Sequence, residues 1–181
     1  MKEHTRLTPI NRFRERMLRW TNDTESGRRF AYWLGKVTGR LQFRLLKVHP
    51  ADEIPWTPPK RPLAHATVAL VTTSGVHLCT EKPFDLESDA TFRSIPRSAK
   101  SADLCISHQR YDRRDAAEDL NLVFPLERLL ELEAEGVIGR VAGIHYGFGF
   151  IHDLKDILEP GRQVGSRLSQ AHVDLVLLVP A

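Results

Sequence analysis

Apolar and polar residues alternate in two different ways along this chain. Near the start, Ile10, Phe13, Met17 and Trp20 recur at helical spacing, with Arg12, Arg14, Arg16 and Arg19 between them. That is the pattern of an amphipathic helix, and Thr8-Pro9 supplies an N-cap and a first helical residue. A polar break over residues 21–27 precedes a second helical stretch over 28–47, which carries Phe30, Trp33, Leu34, Val37, Leu41, Leu45 and Leu46. Gly35 and Gly39 lie four apart on it and permit close packing. Residues 49–62, HPADEIPWTPPKRP, contain five prolines. Such density excludes helix and central strand and predicts an extended connector, anchored by Trp56.

Past the connector the pattern becomes one of short apolar runs. In VALVTTSGVHL, residues 68–78, four apolar residues lead into small hydroxyl residues and Gly75. An unbroken run fits a strand buried on both faces, and the turn after it lets the backbone approach a ligand. Residues 81–101 predict a long irregular loop or lid, pinned by Phe84, Phe92 and Ile95. Residues 103–107, DLCIS, predict a second strand with His108 directly behind it. Pro125 opens a helix, PLERLLELEAEG, that Gly136 ends. Residues 137–144 lead into a third strand ending at His145-Tyr146, then a flexible aromatic turn over 147–150. A helix near 151–170, interrupted around 159–161, precedes VDLVLLV, residues 173–179, read as a last strand buried on both faces.

Strands alternating with helices predict an α/β fold. The expectation is a mostly parallel sheet with helices on both faces, Rossmann-like and three-layered. Three regions follow: a basic helical arm over 1–50, a Pro-rich connector over 51–66 and an α/β domain over 67–181.

Charge sharpens this division. The net charge is +3, but residues 1–60 carry 13 Lys/Arg against 6 Asp/Glu, while the remainder is net acidic. The arm therefore suits an acidic partner, or its arginines merely solvate helices. Its aromatics share the apolar faces, and no helix-turn-helix, zinc-finger or RRM signature accompanies them, so nucleic acid is not an expected partner. No run approaches the roughly 18 apolar residues of a membrane span. The opening MKEHTRLTPINRFRER lacks the apolar core of a signal peptide, and the expected location is the cytoplasm. Cys79 and Cys105 form neither a CxxC pair nor a metal cluster. They read as small packed thiols, and a disulfide is not expected in a cytoplasmic chain.

Candidate chemistry gathers behind the predicted strands. His77, His108 and His145 each follow one closely, which in a parallel sheet places all three on one rim. Imidazoles there suit proton transfer near neutral pH. They also suit a divalent metal, although no H-x-H or H-x₃-H spacing supports one. The plainer reading is hydrogen-bonded loop histidines. Tyr111, Asp112, Asp115, Asp119 and Asn121 crowd the segment after His108, where Asp115 or Asp119 also suits a helix cap. Thr73, Ser74 and Gly75 offer N–H groups and hydroxyls to a carboxylate. There is no G-x-G-x-x-G and no P-loop.

Three stretches together carry a family resemblance: PWTPPKRPLAHATVALVTTSGVHL (55–78), FRSIP (92–96) and ISHQRYDRRDAAEDLNLVFPLERLLELEAEGVIG (106–139). Over residues 54–181 the chain resembles selenoprotein B, the substrate-specific component of the glycine/sarcosine/betaine reductase family, related to D-proline reductase. The first fifty residues look like a lineage-specific arm. The resemblance implies reductive cleavage of a small amino-acid derivative. A selenocysteine or cysteine attacks the α-carbon and releases an amine, and a partner selenoprotein takes over the carboxymethyl group. Other reductase-complex subunits and thioredoxin-type donors are the implied partners, with no bound cofactor, no metal and no membrane. The implied nucleophile lies just past Ala181, so the chain as given is expected to be inactive, either halted at a selenocysteine codon or naturally short. By motif, His77, His108, Tyr111, Asp112, Asp119 and Asn121 line the site, joined by His145. His77 or His108 is the expected proton donor, and the carboxylate is expected at Thr73–Gly75. The rival readings are a metal-assisted hydrolase or lyase using the three histidines, and a non-catalytic partner-binding module.

Overall fold

The computed structural model describes residues 9–34, 57–151 and 154–180. The chain divides into two units, Met1–Trp56 and Thr57–Ala181. In the first, helix α1 spans Pro9–Asp23, and a second helix, α2, occupies 25–34. Its start is set by Thr24, whose Oγ1 accepts from the Gly27 N–H at 3.0 Å and donates to the Trp20 carbonyl at 2.8 Å. That is an N-cap, and it begins the helix three residues earlier than its apolar spacing indicates. Trp20 and Phe30 meet with ring centroids 5.6 Å apart. Thr8, Trp56 and the expected helix beyond residue 34 lie outside the described residues.

The second unit is built on a mostly parallel five-stranded sheet. At its centre lies β1 (Thr67–Thr72), with Val68, Ala69 and Leu70 all buried. The expected two-faced burial of this run holds. On one edge β1 pairs in parallel with β7 (Leu175–Val179) along its whole length. The other edge is shared by β5 (Arg140–Val141) at its start and β6 (Ile144–Phe148) at its end, both parallel. Strand β3 (Phe92–Pro96) closes that side, antiparallel to β6. A separate antiparallel ribbon joins β2 (Val76–Leu78) to β4 (Leu104–Ile106). No helix among the described residues is long and apolar enough to cross a membrane.

Alternate residues of β1 feed two cores, as strand geometry requires. Val68 and Leu70 join Val76, Ile95, Ala116, Phe124, Leu126 and Leu129. Helices α3 (Arg114–Glu118) and α4 (Leu126–Ala134) contribute to this cluster. Ala69 instead joins Ala142, Tyr146, Phe148, Val164 and Leu168, the last two from α5 (Leu158–Gln170). The α5 helix runs unbroken through 159–161, where an interruption was expected. Pro160 falls in its first turn, where its lack of an N–H costs no helical hydrogen bond.

Four other expectations are corrected. The irregular loop expected over 81–101 contains β3, because FRSIP pairs with β6 despite its closing proline. The strand expected over 103–107 in the main sheet is β4, Leu104–Ile106, which pairs with β2 in the separate ribbon instead. The expected flexible turn over 147–150 begins as buried strand. Gly147 is there for close approach, since a Cβ on it would lie 2.0 Å from the Val76 carbonyl oxygen. And Cys79 and Cys105 are joined as a disulfide with Cα atoms 5.0 Å apart. The cause is the ribbon register: Cys105 faces His77, and Cys79, two residues on, reaches it diagonally. Composition alone carries no trace of that pairing.

Candidate functional site

The turn after β1 is built by hydroxyls and one left-handed glycine. Thr72 and Ser74 are fully buried, and their hydroxyls share a hydrogen bond of 2.7 Å. Gly75 has φ +76°, and a Cβ there would lie 2.3 Å from the Ser107 carbonyl oxygen. Only glycine combines that backbone with that contact. The turn's amides are occupied: Thr73 N–H donates to the Val179 carbonyl and Gly75 N–H to the Phe148 carbonyl, while Ser74 N–H donates to Thr72 Oγ1. The N–H groups expected to receive a carboxylate at Thr73–Gly75 therefore have acceptors within the protein.

What the turn does is bring two histidines to one place. His77 is 2% exposed, with Nδ1 2.8 Å from the Leu78 carbonyl oxygen and Nε2 2.8 Å from Ser107 Oγ. A carbonyl only accepts, so Nδ1 carries the proton, and in the neutral ring Nε2 accepts from the Ser107 hydroxyl. His108 follows Ser107 directly and is 3% exposed. Its Nδ1 accepts from the Arg110 N–H at 3.2 Å, which leaves the proton of the neutral ring on Nε2. Burial, then the charges of Arg113 and Arg110, push its pKa down to about 4. His108 is therefore a neutral imidazole near pH 7. Tyr111 stacks obliquely on it at 4.9 Å and donates through Oη to the Ser74 carbonyl at 3.1 Å. Burial is the main cause that raises this phenol to about 12.

A cover lies over these groups. Phe84 is buried and meets His77 in a T-shaped contact at 5.7 Å, with the Arg93 guanidinium 4.4 Å from its ring centroid. Phe150 meets His108 edge-on at 5.7 Å and lies 4.4 Å beneath Arg110. The segment carrying Phe84 is tied down by Gln109 Nε2 donating to the Leu86 carbonyl at 2.7 Å and by the Asp89 N–H donating to that of Phe150. His77 is thus covered by Phe84 from the segment 80–91, and His108 by Phe150.

The other expected residues lie apart. His145 is not at a strand end: it is the second residue of β6, fully buried. Its Nδ1 accepts from the Leu70 N–H at 3.0 Å, filling the gap in the ladder between β5 and β6. Burial, then Arg97, push its pKa down to about 4, and Nε2 has no hydrogen-bond partner. The three histidines therefore do not share one rim. No group of three His, Cys, Asp or Glu among the described residues is placed to hold a metal. Asp112 is exposed and forks with Arg114. Asp119 caps the 3₁₀ turn Leu120–Leu122 by accepting from the Asn121 N–H at 3.0 Å, and hydrogen bonds from Asn121 outweigh a smaller burial effect to lower its pKa. Asn121 links that cap to Glu127. Thr73 lies instead on an apolar groove of about 700 Å³ between α5 and β7, with Phe148, Val164, Leu178 and Val179. Ser107 was missed from sequence. It stands inside the S-H-x-x-Y-D motif, but pairing with a histidine thirty residues away leaves no local signal.

Comparison with known proteins gives these residues a context. The family described as glycine/sarcosine/betaine reductase selenoprotein B matches residues 10–181. That match includes most of the first fifty residues, so the arm is not the lineage-specific addition expected. D-proline reductase subunit gamma of Acetoanaerobium sticklandii is 40% identical over 125 residues, covering 68% of this chain and 52% of that one. Glycine reductase complex component B subunit gamma of Carboxydothermus hydrogenoformans is 28% identical over 152 residues, covering 80% and 35%. Sarcosine reductase complex component B subunit beta of Peptoclostridium acidaminophilum is 33% identical over 97 residues, covering 50% and 22%. The chain thus spans about half the length of the first of these relatives and less of the others. No solved structure matches it.

Proposed function

The chain belongs to the glycine/sarcosine/betaine reductase selenoprotein B family, and from that premise we propose that it is a cytoplasmic component of an amino-acid reductase complex. The substrate is a small amino-acid derivative that loses an amine. The observation that carries this reading is the family match across residues 10–181. We read the sheet as Rossmann-like and three-layered, supported by the two cores that alternate residues of β1 feed.

Within this reading the buried cluster handles the proton and the carboxylate. His77 is the proton donor of choice over His108. With Nδ1–H fixed on the Leu78 carbonyl, a proton gained at Nε2 faces the Ser107 hydroxyl at 2.8 Å. Relay through that hydroxyl delivers it to the departing amine. His108, held neutral near pH 7, orients substrate through its Nε2–H. The charge of Arg113 acts on both His108 and Tyr111, which makes it the candidate partner for a substrate carboxylate in place of the occupied amides of 73–75. Following the family resemblance, the nucleophile is a selenol or thiol from outside residues 1–181, and the bonded pair Cys79–Cys105 is not assigned that role. Electrons come from a thioredoxin-type dithiol.

The test uses the complete protein with its complex partners and a dithiol reductant. Reductive cleavage of the α-carbon–nitrogen bond is expected with one of glycine, sarcosine, betaine and D-proline, read as released amine for the first three and as the ring-opened amino acid for D-proline. His77→Ala should lower kcat by about a hundredfold or more, the usual scale for a general acid. Ser107→Ala should lower it less, by about tenfold. Turnover of none of these substrates would refute the reading, and unchanged kcat in both variants would remove the relay from it.

A further inference from the structure

The bond between Cys79 and Cys105 belongs to no step above. It joins residues 26 apart in the chain, and the loop between them carries Phe84, the part of the cover that lies on His77. Cys79 sits at the point where the cover leaves β2, and Cys105 sits in β4, two residues before Ser107. Cys79 is exposed and Cys105 half-buried, so Cys79 is the residue of the pair that a donor reaches more readily. Access of this kind decides whether a thiolate can attack a disulfide, and at which sulfur.

We propose that Cys79–Cys105 is a thiol–disulfide exchange site that takes a dithiol, and that its reduction loosens the cover over His77. A donor thiolate attacks Cys79 Sγ. A donor–Cys79 disulfide forms as the Cys79–Cys105 bond breaks, and Cys105 leaves as a thiolate and takes up a proton. The donor's second thiol, on losing its proton, attacks its own sulfur in the mixed disulfide and releases Cys79 as a thiol. Two electrons pass to the protein, and the donor leaves as a disulfide. What then holds residues 80–91 includes Phe84 packed on His77 and against Arg93, Arg93 bonded to the Lys82 carbonyl and paired with Asp89, the Gln109–Leu86 hydrogen bond and the Asp89–Phe150 backbone bond. These contacts open locally far more readily than a covalent link. The inference goes beyond the reductase reading and needs none of it, since its readouts involve no substrate.

Purified protein is treated with dithiothreitol under native conditions, then labelled with a maleimide and digested with a glutamyl endopeptidase. Two labels, one each on Cys79 and Cys105, are expected after reduction and none on either before. Cleavage after Glu87 should become about tenfold faster in the reduced protein, while circular dichroism stays unchanged. The double variant Cys79→Ser/Cys105→Ser should be cleaved at the reduced rate with or without dithiol. Two labels before reduction would overturn the proposal. So would no label after native reduction when denatured protein takes two, or equal cleavage rates in the two states. If the double variant does not fold, the wild-type comparison alone decides.

Discussion

At the residue scale, four histidine nitrogens explain why three similar residues have different work. His145 is the clearest case, because a gap in the sheet ladder assigns it to structure. Its Nδ1 replaces the backbone acceptor that Leu70 lacks, and its pKa is about 4 against an ordinary 6.5. The sign of the linkage follows. The folded protein holds this ring neutral while the unfolded chain protonates it below 6.5, so stability is fully present above 6.5 and is lost as pH falls toward 4. Across that window the gap corresponds to about 3 kcal/mol. His108, with the same direction and a pKa of about 4, adds to the same loss. In His145→Asn, Oδ1 can still accept from Leu70 without titrating. Urea unfolding at a series of pH values should show a clearly shallower fall between 6.5 and 4 in this variant. A slope equal to the wild type would show that His145 is not responsible.

At the scale of elements, the turn between β1 and β2 decides where the chemistry sits. It directs β2 over β6, so that Val76 packs on Gly147, and it seats Gly75 against Ser107. Gly75→Ala would place a Cβ 2.3 Å from the Ser107 carbonyl oxygen at a φ of +76°. A destabilisation of about 2–4 kcal/mol is expected from the clash and the strained backbone together. Chemical denaturation of the two proteins measures it, and a difference below about 0.5 kcal/mol would mean that the turn relaxes freely. This turn was also the most legible part of the chain. The run 68–71, its small polar residues and the histidine behind them located β1 and half of the cluster from sequence. The α4 helix was equally plain from its spacing, with Pro125 before it and Gly136 after it. What could not be read were pairings across long stretches. The β2–β4 ribbon, the Ser107–His77 contact and the disulfide all depend on register between segments some thirty residues apart, and periodicity within one segment carries no register. Asp119 and Asn121 show the converse. Their types suited a site, yet local hydrogen bonds use them as a cap.

At the scale of the molecule, β7 departs most from what its sequence implies. An unbroken apolar strand is expected to be covered on both faces, but Leu178 is 69% exposed, with Val176 and Leu177 near 40%. The reason is its place in the sheet: β7 pairs with β1 on one edge, and no described strand pairs with the other. The groove between it and α5 is apolar as well. An open edge beside an exposed apolar face is a template for association. Each leucine side chain that becomes buried there gains about 1.5–3 kcal/mol. The 181-residue chain by itself should therefore self-associate as its concentration rises. Leu178→Lys places a charge at the most exposed position of the strand and should suppress that association. It should leave the melting temperature nearly unchanged, because a side chain so exposed contributes little to the core. Light scattering across a concentration series, with melting curves alongside, separates the two effects. A wild-type chain that stays monomeric throughout would show that the exposed strand is not adhesive.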